Sequence, residues 1–149
     1  MDRYETFTIL ISKIVRNVRK IKALEMEEFD LKSPHVSCLY YLFKSKDGLT
    51  AKEICDICEE DKAAVSRSLD YLEKQGYIIC ESKTEKRYNS LITMTEKGKE
   101  IGEIVAKKVD VAVQKASEGF SEEKRAVFYE YLTAVSDNLQ KIVDTKENK

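Results

Sequence analysis

The chain contains no tryptophan, one proline and five glycines among its 149 residues. Few residues therefore interrupt helices, and 36% of the residues are charged, a composition that favours a mostly helical soluble protein. No apolar run approaches the roughly 20 residues that are needed to span a bilayer. The first residues, MDRYETFTIL, begin with an acid and lack the apolar core of a signal peptide. We therefore expect a cytoplasmic protein with no membrane partner.

Motifs for catalysis and for cofactors are also missing. The sequence has no glycine-rich phosphate loop, no G-x-S-x-G elbow and no metal-binding histidine pair. The single histidine, His35, has no nucleophile or acid beside it in the sequence. Carboxylates lie three or four residues from lysines, which indicates pairing on helix surfaces. We predict no enzyme, no catalytic residue, no metal and no cofactor.

The most informative stretch is LTAKEICDICEEDKAAVSRSLDYLEKQG, residues 49–76. Thr50 and Glu53 have the spacing of a capping box at a helix start, and Leu49 and Ile54 have that of a hydrophobic staple. This first helix is expected to stop at the acidic residues that follow Cys58.

A second helix is expected to begin directly after this acidic turn. Asp61 is a good N-cap, and Gly76 can supply the left-handed residue after the last turn. The apolar stripe of this helix consists of Val65, Leu69 and Leu72. Two short helices in this order are typical of a helix-turn-helix, although an ordinary helical hairpin with a solvated face fits the stretch equally well.

The polar face of the second helix has small residues, which allow a close approach to a DNA groove, and basic residues, which reach phosphates or guanine edges. The predicted DNA contacts on this helix are Lys62, Ala63, Ser66, Arg67 and Lys74. On the first helix of the motif, Thr50 and Lys52 are predicted contacts.

Two short runs of strand-forming residues follow, Tyr77–Ser82 and Leu91–Met94. The polar loop between them, KTEKRYN, contains three basic residues. A basic hairpin directly after a candidate recognition helix suits a wing that contacts the DNA backbone or enters the minor groove. A new helix is then expected to open at Thr95-Glu96-Lys97-Gly98.

From about Tyr4 to Val143 the chain resembles the MarR family of bacterial transcriptional regulators, and SRSLDYLEKQGYI and MTEKG are the most specific matches. The resemblance implies an obligate homodimer in which N- and C-terminal helices pack together, with a winged helix-turn-helix on each side. It also implies regulation of nearby genes, which a small ligand or oxidation frequently relieves.

The wing departs from the family pattern, which is Asp-x-Arg. Alignment back from Thr95 without a gap places Lys86 and Tyr88 at the two motif positions. One extra loop residue instead gives Glu85-Lys86-Arg87, with an acid and an arginine in the right order. We favour Arg87 as the minor-groove or phosphate contact, with Lys83 and Lys86 in support.

The predicted fold class is mainly α with a small β-hairpin wing. We expect a single domain over residues 1–149, with a winged helix-turn-helix lobe at 33–98 and dimerisation helices at 1–30 and 99–146. Ser33 and Pro34 have the preferred N-cap and N1 types for the helix that opens the lobe.

The terminal helices have long apolar stripes, which pairing with a second copy would cover. An intramolecular four-helix packing is the alternative. The stripes consist of Phe7, Leu10, Ile11, Ile14, Val18 and Ile21 at one end, and of Ile101, Ile104, Val105, Ala112, Val113, Phe128, Tyr131, Leu132, Val135, Leu139 and Ile142 at the other.

The four cysteines are Cys38, Cys55, Cys58 and Cys80, with a single C-x-x-C pair. A structural zinc site would require distant ligands to converge, whereas a buried thiol is the ordinary state of such cysteines. Thiol redox sensing needs a lowered pKa, but the C-x-x-C pair lies toward a helix end that has the wrong dipole sign. The peroxide-sensing branch of the family uses a cysteine near the chain start, and the first helix has none.

We predict a sequence-specific repressor that binds double-stranded DNA as a homodimer on a palindromic operator. A small aromatic or amphipathic effector would release it, with Tyr40, Tyr41 and Phe43 as pocket candidates that core packing explains equally well. The net charge of −1 requires DNA affinity to come from local asymmetry. The alternatives are a winged-helix module that binds protein, and a thiol or metal sensor on the same scaffold.

Overall fold

The structure is a computed structural model that describes residues 2–58, 60–81 and 89–149. The helices are α1 (Arg3–Glu25), α2 (Ser33–Ser45), α3 (Ala51–Ile57), α4 (Lys62–Lys74), α5 (Glu96–Ala116) and α6 (Glu122–Glu147), with a short 3-10 turn at Glu27–Phe29 between the first two. The strands are β1 (Leu49–Thr50), β2 (Ile78–Cys80) and β3 (Leu91–Met94). The predicted fold class, mainly α with a small β wing, is confirmed.

The sheet has one strand more than the predicted hairpin. Its order is β1-β3-β2, and both pairings are antiparallel. Leu49 pairs with Ile92, and Ile78 pairs with Met94. Leu49 thus adds β1 to the far edge of β3, because the chain is extended before Thr50 caps α3.

The predicted N-cap of α2 is wrong by one residue. Lys32 is the extended N-cap, and Ser33 and Pro34 lie inside the first turn. His35 reaches back, so that its Nδ1 accepts a hydrogen bond from the Lys32 N–H at 3.0 Å. The imidazole thus accepts the N-cap N–H, as the Glu or Gln side chain of a capping box usually does.

The core lies where α2, α3, α4 and the sheet pack together. Leu39, Ile54, Leu72 and Ile92 come from these four elements, and each is almost completely buried. Burial of four large aliphatic side chains contributes about 1.5–3 kcal/mol each to the stability of the fold. The helix-turn-helix is therefore part of the core rather than an appendage to it.

The chain divides into two compact units, Met1–Ala112 and Val113–Lys149. In the second unit, Ser121 caps α6 by accepting a hydrogen bond from the Lys124 N–H at 3.2 Å. Phe120 and Phe128 pack edge to face, with ring centroids 6.0 Å apart. The predicted domain boundaries remain predictions.

Neither terminal helix buries a residue among those that the structure describes. Within the described ranges, no helix combines the length and the apolar character that crossing a membrane requires.

Candidate nucleic-acid interface

The start of α3 has the predicted capping box. The Glu53 N–H donates to Thr50 Oγ1, and the Thr50 N–H donates to Glu53 Oε1, both at 3.1 Å. Ala51 and Ile54 face the core, while Lys52 is exposed. The cap fixes where the helix begins. Because Ala51 and Ile54 face the core, the predicted basic contact Lys52 points to solvent.

Both ends of α4 are fixed by local sequence. At the start, Asp61 Oδ1 accepts a hydrogen bond from the Ala64 N–H at 2.8 Å. At the end, Gly76 has a positive φ of 79°. The Gly76 N–H donates to the Glu73 carbonyl, and the Tyr77 N–H donates to the Leu72 carbonyl, both at 3.0 Å. This is a Schellman motif, which glycine in the left-handed region makes possible.

The helix has the two faces that the sequence predicts. Val65, Leu69 and Leu72 are buried. The predicted DNA contacts Lys62, Ala63, Ser66, Arg67 and Lys74 are all exposed. The structure thus brings these five side chains to the solvent side of one rigid helix, and their contact with DNA remains a prediction.

An aromatic stack and a hydrogen-bonded tyrosine connect α4 to the turn before α2. The rings of His35 and Tyr71 are parallel within 11°, with centroids 4.3 Å apart. The Tyr71 hydroxyl donates to the Asp30 carbonyl at 2.8 Å and lies 3.3 Å from Asp30 Oδ2. Burial, and next the nearby charge of Lys32, lower the pKa of His35 below its usual value, while Asp30 acts in the opposite direction. A neutral imidazole is thereby favoured in the stack.

Beside this stack lies a pocket of about 450 Å³, which we call the α2–α4 pocket. It is lined by Asp30, Lys32, Pro34, His35, Ala64, Arg67, Ser68 and Tyr71. The pocket lining includes both Arg67, a predicted DNA contact, and Lys32, which was not predicted as one. Lys32 was missed because only the packing of α2 against α4 brings it near the predicted interface.

The wing is described only at its base. The Glu81 N–H donates to the Leu91 carbonyl at 3.1 Å, which continues the pairing of β2 with β3. Lys83, Lys86 and Arg87, the predicted wing contacts, lie outside the described residues. Their register and their role therefore remain predictions.

The segment Thr95–Gly98 ties the start of α5 to the end of α4. Thr95 Oγ1 donates to the Gly76 carbonyl at 2.6 Å and accepts from the Gly98 N–H at 3.0 Å. A Cβ atom on Gly98 would overlap the carbonyl oxygen of Tyr77. The close approach of the two backbones explains why this position needs glycine.

The predicted ligand-pocket residues Tyr40, Tyr41 and Phe43 are partly buried on α2. Tyr40 and Tyr41 pack edge to face, with centroids 5.4 Å apart. Phe43 packs against Gly102 of α5, where an added Cβ would lie 3.1 Å from the Phe43 Cβ. Packing thus accounts for Phe43, and a ligand role for the three residues stays a prediction.

The cysteines lie mainly in or against the core. Cys38 and Cys80 are buried, while Cys55 and Cys58 are partly buried, and none of the four forms a disulfide. Burial, and next the neighbouring Cys58 and Cys55, raise the pKa of Cys38 to about 12. The thiolate of Cys38 is therefore strongly disfavoured. Within the part of the chain that the structure describes, no three His, Cys, Asp or Glu side chains are grouped to hold a metal ion.

The capped helix pair and the three-stranded sheet define a winged-helix protein. Residues 29–87 match the family model described as the MarR family. No curated protein matches the chain. Within the winged-helix class, this segment is thus similar to the MarR family, and the resemblance predicted from the sequence is confirmed.

Solved structures extend the likeness to nearly the whole chain. A MarR regulator from Methanosarcina mazei Go1 has a TM-score of 0.79 and 22% identity, covering 95% of this chain and 94% of its own. The S. aureus MepR–DNA complex has a TM-score of 0.78 and 23% identity, covering 93% and 99%. A putative MarR-family regulator from Listeria monocytogenes, complexed with 26mer DNA, has a TM-score of 0.75 and 25% identity, covering 93% and 89%. The chain therefore has the fold of MarR-family transcriptional regulators.

Proposed function

We propose that the protein is a sequence-specific DNA-binding transcriptional repressor that acts as a homodimer on a palindromic operator. The exposed face of α4, fixed at both ends by the Asp61 cap and by Gly76, is the observation that carries this proposal. Two of the similar structures are described as complexes with DNA, which supports the same partner here. A protein that binds an operator works where the DNA is, so the proposal places the chain in the cytoplasm.

The chemistry of the α4 face suits a major groove. Ala63 and Ser66 are small, so the helix backbone can approach base edges. Arg67 can donate two hydrogen bonds to a guanine, whereas Lys62 and Lys74 can contact phosphates. Thr50 and Lys52 of α3, together with Lys83, Lys86 and Arg87 of the wing, would hold the flanking backbone.

Exposed apolar side chains on both terminal helices support the homodimer. On α1, Leu10 is 52% and Ile14 is 54% exposed, and on α6, Leu139 is 48% and Ile142 is 56% exposed. Monomeric soluble proteins rarely leave such apolar rows uncovered. A second copy would cover each row, and its two-fold symmetry would match two operator half-sites about one helical turn apart.

Release by a small aromatic or amphipathic effector is part of the proposal. The effector would have to bind one spacing of the two recognition helices more tightly than the other, since otherwise it shifts no equilibrium. Tyr40, Tyr41 and Phe43 are the candidate contacts for it.

A mobility-shift assay on DNA from upstream of the protein's own gene tests the base and phosphate contacts. Arg67→Ala should cost about 1–3 kcal/mol of binding free energy and relax sequence preference, whereas Lys83→Ala should weaken all sequences alike. Lys107→Ala, which removes an exposed cation of α5 that pairs with Glu103, is the control. Unchanged binding in both Arg67→Ala and Lys83→Ala would contradict the contact assignment.

A winged-helix module that binds protein is the second candidate. The net charge of −1 and the departure of the wing from Asp-x-Arg favour it. DNA affinity that falls steeply with added salt would exclude this candidate, because phosphate contacts release counterions. Failure to bind any DNA from the gene neighbourhood would support it.

A further inference from the structure

The two basic side chains of the α2–α4 pocket come from different elements. Lys32 is the exposed N-cap of α2, and Arg67 is exposed on α4. One carboxylate, that of Asp30, also lines the pocket, and its Oδ2 lies 3.3 Å from the Tyr71 hydroxyl. Two cations thus line the pocket with one carboxylate, and this excess of positive charge favours an anion over a cation.

Contacts among His35, Tyr71 and Asp30, rather than the two basic side chains, connect the two walls of the pocket. His35 stacks on Tyr71 at 4.3 Å between centroids, and Tyr71 is hydrogen-bonded to Asp30 at 2.8 Å. His35 also accepts from the backbone N–H of Lys32 at 3.0 Å. These contacts connect the residue before α2 to Tyr71 of α4, so the backbone of Lys32 is held close to α4.

A DNA strand that borders the major groove presents its phosphates beside a helix that lies in the groove. Arg67 belongs both to the exposed face of α4 and to the pocket lining, so a DNA strand that Arg67 contacts would lie beside the pocket. We propose that the α2–α4 pocket receives the sugar–phosphate backbone of that strand, and that Lys32 donates a hydrogen bond to one of its phosphates. This inference rests on the proposed DNA binding and adds a contact from outside the helix-turn-helix and the wing.

The salt dependence of binding tests this contact. The probe is a duplex that the wild-type protein selects from a random-sequence library. The slope of log affinity against log salt is negative, and each lost phosphate contact reduces its magnitude by about 0.9, so Lys32→Ala in both subunits should reduce the magnitude by about 1.8. Lys32→Arg should restore the slope, because it restores the charge, and Lys107→Ala should leave it unchanged. An unchanged slope in Lys32→Ala would overturn the proposal.

Neutral methylphosphonate linkages locate the phosphate. With the wild-type protein, one neutral linkage per half-site should weaken binding to the extent that Lys32→Ala does. With Lys32→Ala, the same linkage should cost nothing more, because the contact is already absent. If the affinity lost with Lys32→Ala simply adds to the affinity lost at every neutral linkage, Lys32 contacts no particular phosphate and acts only through its long-range charge. This result would overturn the proposal.

The failure of this proposal is distinguishable from failure of the proposed function. If Arg67→Ala weakens binding while Lys32→Ala changes neither slope nor affinity, DNA binding stands and the Lys32 contact is wrong. If the wild-type protein selects no duplex, both proposals fall together.

Discussion

Gly98 shows how a single residue holds the end of α4 in place. The Thr95 hydroxyl joins the Gly76 carbonyl to the Gly98 N–H, while the backbone of Gly98 lies against Tyr77. Lys97 Nζ adds a hydrogen bond to the Gln75 carbonyl at 2.7 Å. The sequence MTEKG, one of the family matches, is therefore the segment that fastens α5 to the turn after α4.

Gly98→Ala should destabilise the protein by about 1–3 kcal/mol or more, because the new methyl group overlaps backbone that cannot rotate away. Urea unfolding measures the change. Gly76→Asn is the matched control, since Gly76 has open space around it and asparagine tolerates its positive φ. Equal stability of Gly98→Ala and wild type would contradict the close approach.

His35 gives the stability a pH dependence of known sign. Its pKa in the folded protein lies below the ordinary 6.5, so the unfolded chain binds a proton at a higher pH than the folded chain does. Its contribution to the free energy of unfolding is complete above pH 6.5 and is lost as the pH falls toward the lowered pKa. The chain has one histidine, so no other histidine contributes to this pH dependence.

His35→Asn should remove this slope while keeping an oxygen that can accept the Lys32 N–H. Urea unfolding between about pH 5.5 and 7.5, above the range in which ordinary carboxylates titrate, measures it. The same slope in the wild-type protein and in the variant would rule out the assigned role of His35.

At the scale of elements, local signals predicted the helix-turn-helix well. The caps at Thr50 and Asp61 and the turn at Gly76 each depend on residues at most five positions apart, and β3 was predicted at its observed bounds. The short strand β1 was not predicted, because its existence depends on pairing with Ile92 far along the chain. The predicted N-cap of α2, Ser33, was wrong because Lys32 is the N-cap and its N–H donates a hydrogen bond to the His35 side chain.

The stability of α4 should depend measurably on its cap. Asp61→Ala removes the acceptor for the Ala64 N–H and should cost about 1 kcal/mol in the free energy of unfolding. Asp61→Asn keeps a side-chain oxygen at this place and should cost little. Thermal or urea unfolding of the three proteins decides the point, and equal losses in both variants would mean that charge rather than capping matters at Asp61.

One part of the candidate site, the exposed face of α4, is predictable from the sequence, whereas the α2–α4 pocket is not. The exposed face of α4 follows from helical spacing, so its residues were found from the sequence alone. The α2–α4 pocket depends on a hydrogen bond between Tyr71 and Asp30, which are 41 positions apart. No local pattern contains such a contact, and Lys32 became a candidate only once the fold was known.

At the scale of the whole molecule, the proposed DNA binding requires two copies of the chain. Ile14→Glu on α1 and Leu139→Glu on α6 place a charge among exposed apolar side chains and should shift the protein toward a monomer of 17.2 kDa. Ile79→Glu is the matched control, because Ile79 is 52% exposed on β2, outside the proposed dimer surface. Sedimentation velocity distinguishes the species. A wild-type protein that sediments as a monomer at micromolar concentration would contradict the homodimer.

A footprint on the DNA upstream of the protein's own gene tests the central claim, sequence-specific binding by paired α4 helices, most directly. We expect two protected half-sites of related, inverted sequence about one helical turn apart. Protection should weaken as salt is added, and with Arg67→Ala it should require a higher protein concentration and discriminate less between sequences. No protection at any low-salt condition, or uniform protection without half-sites, would contradict the claim.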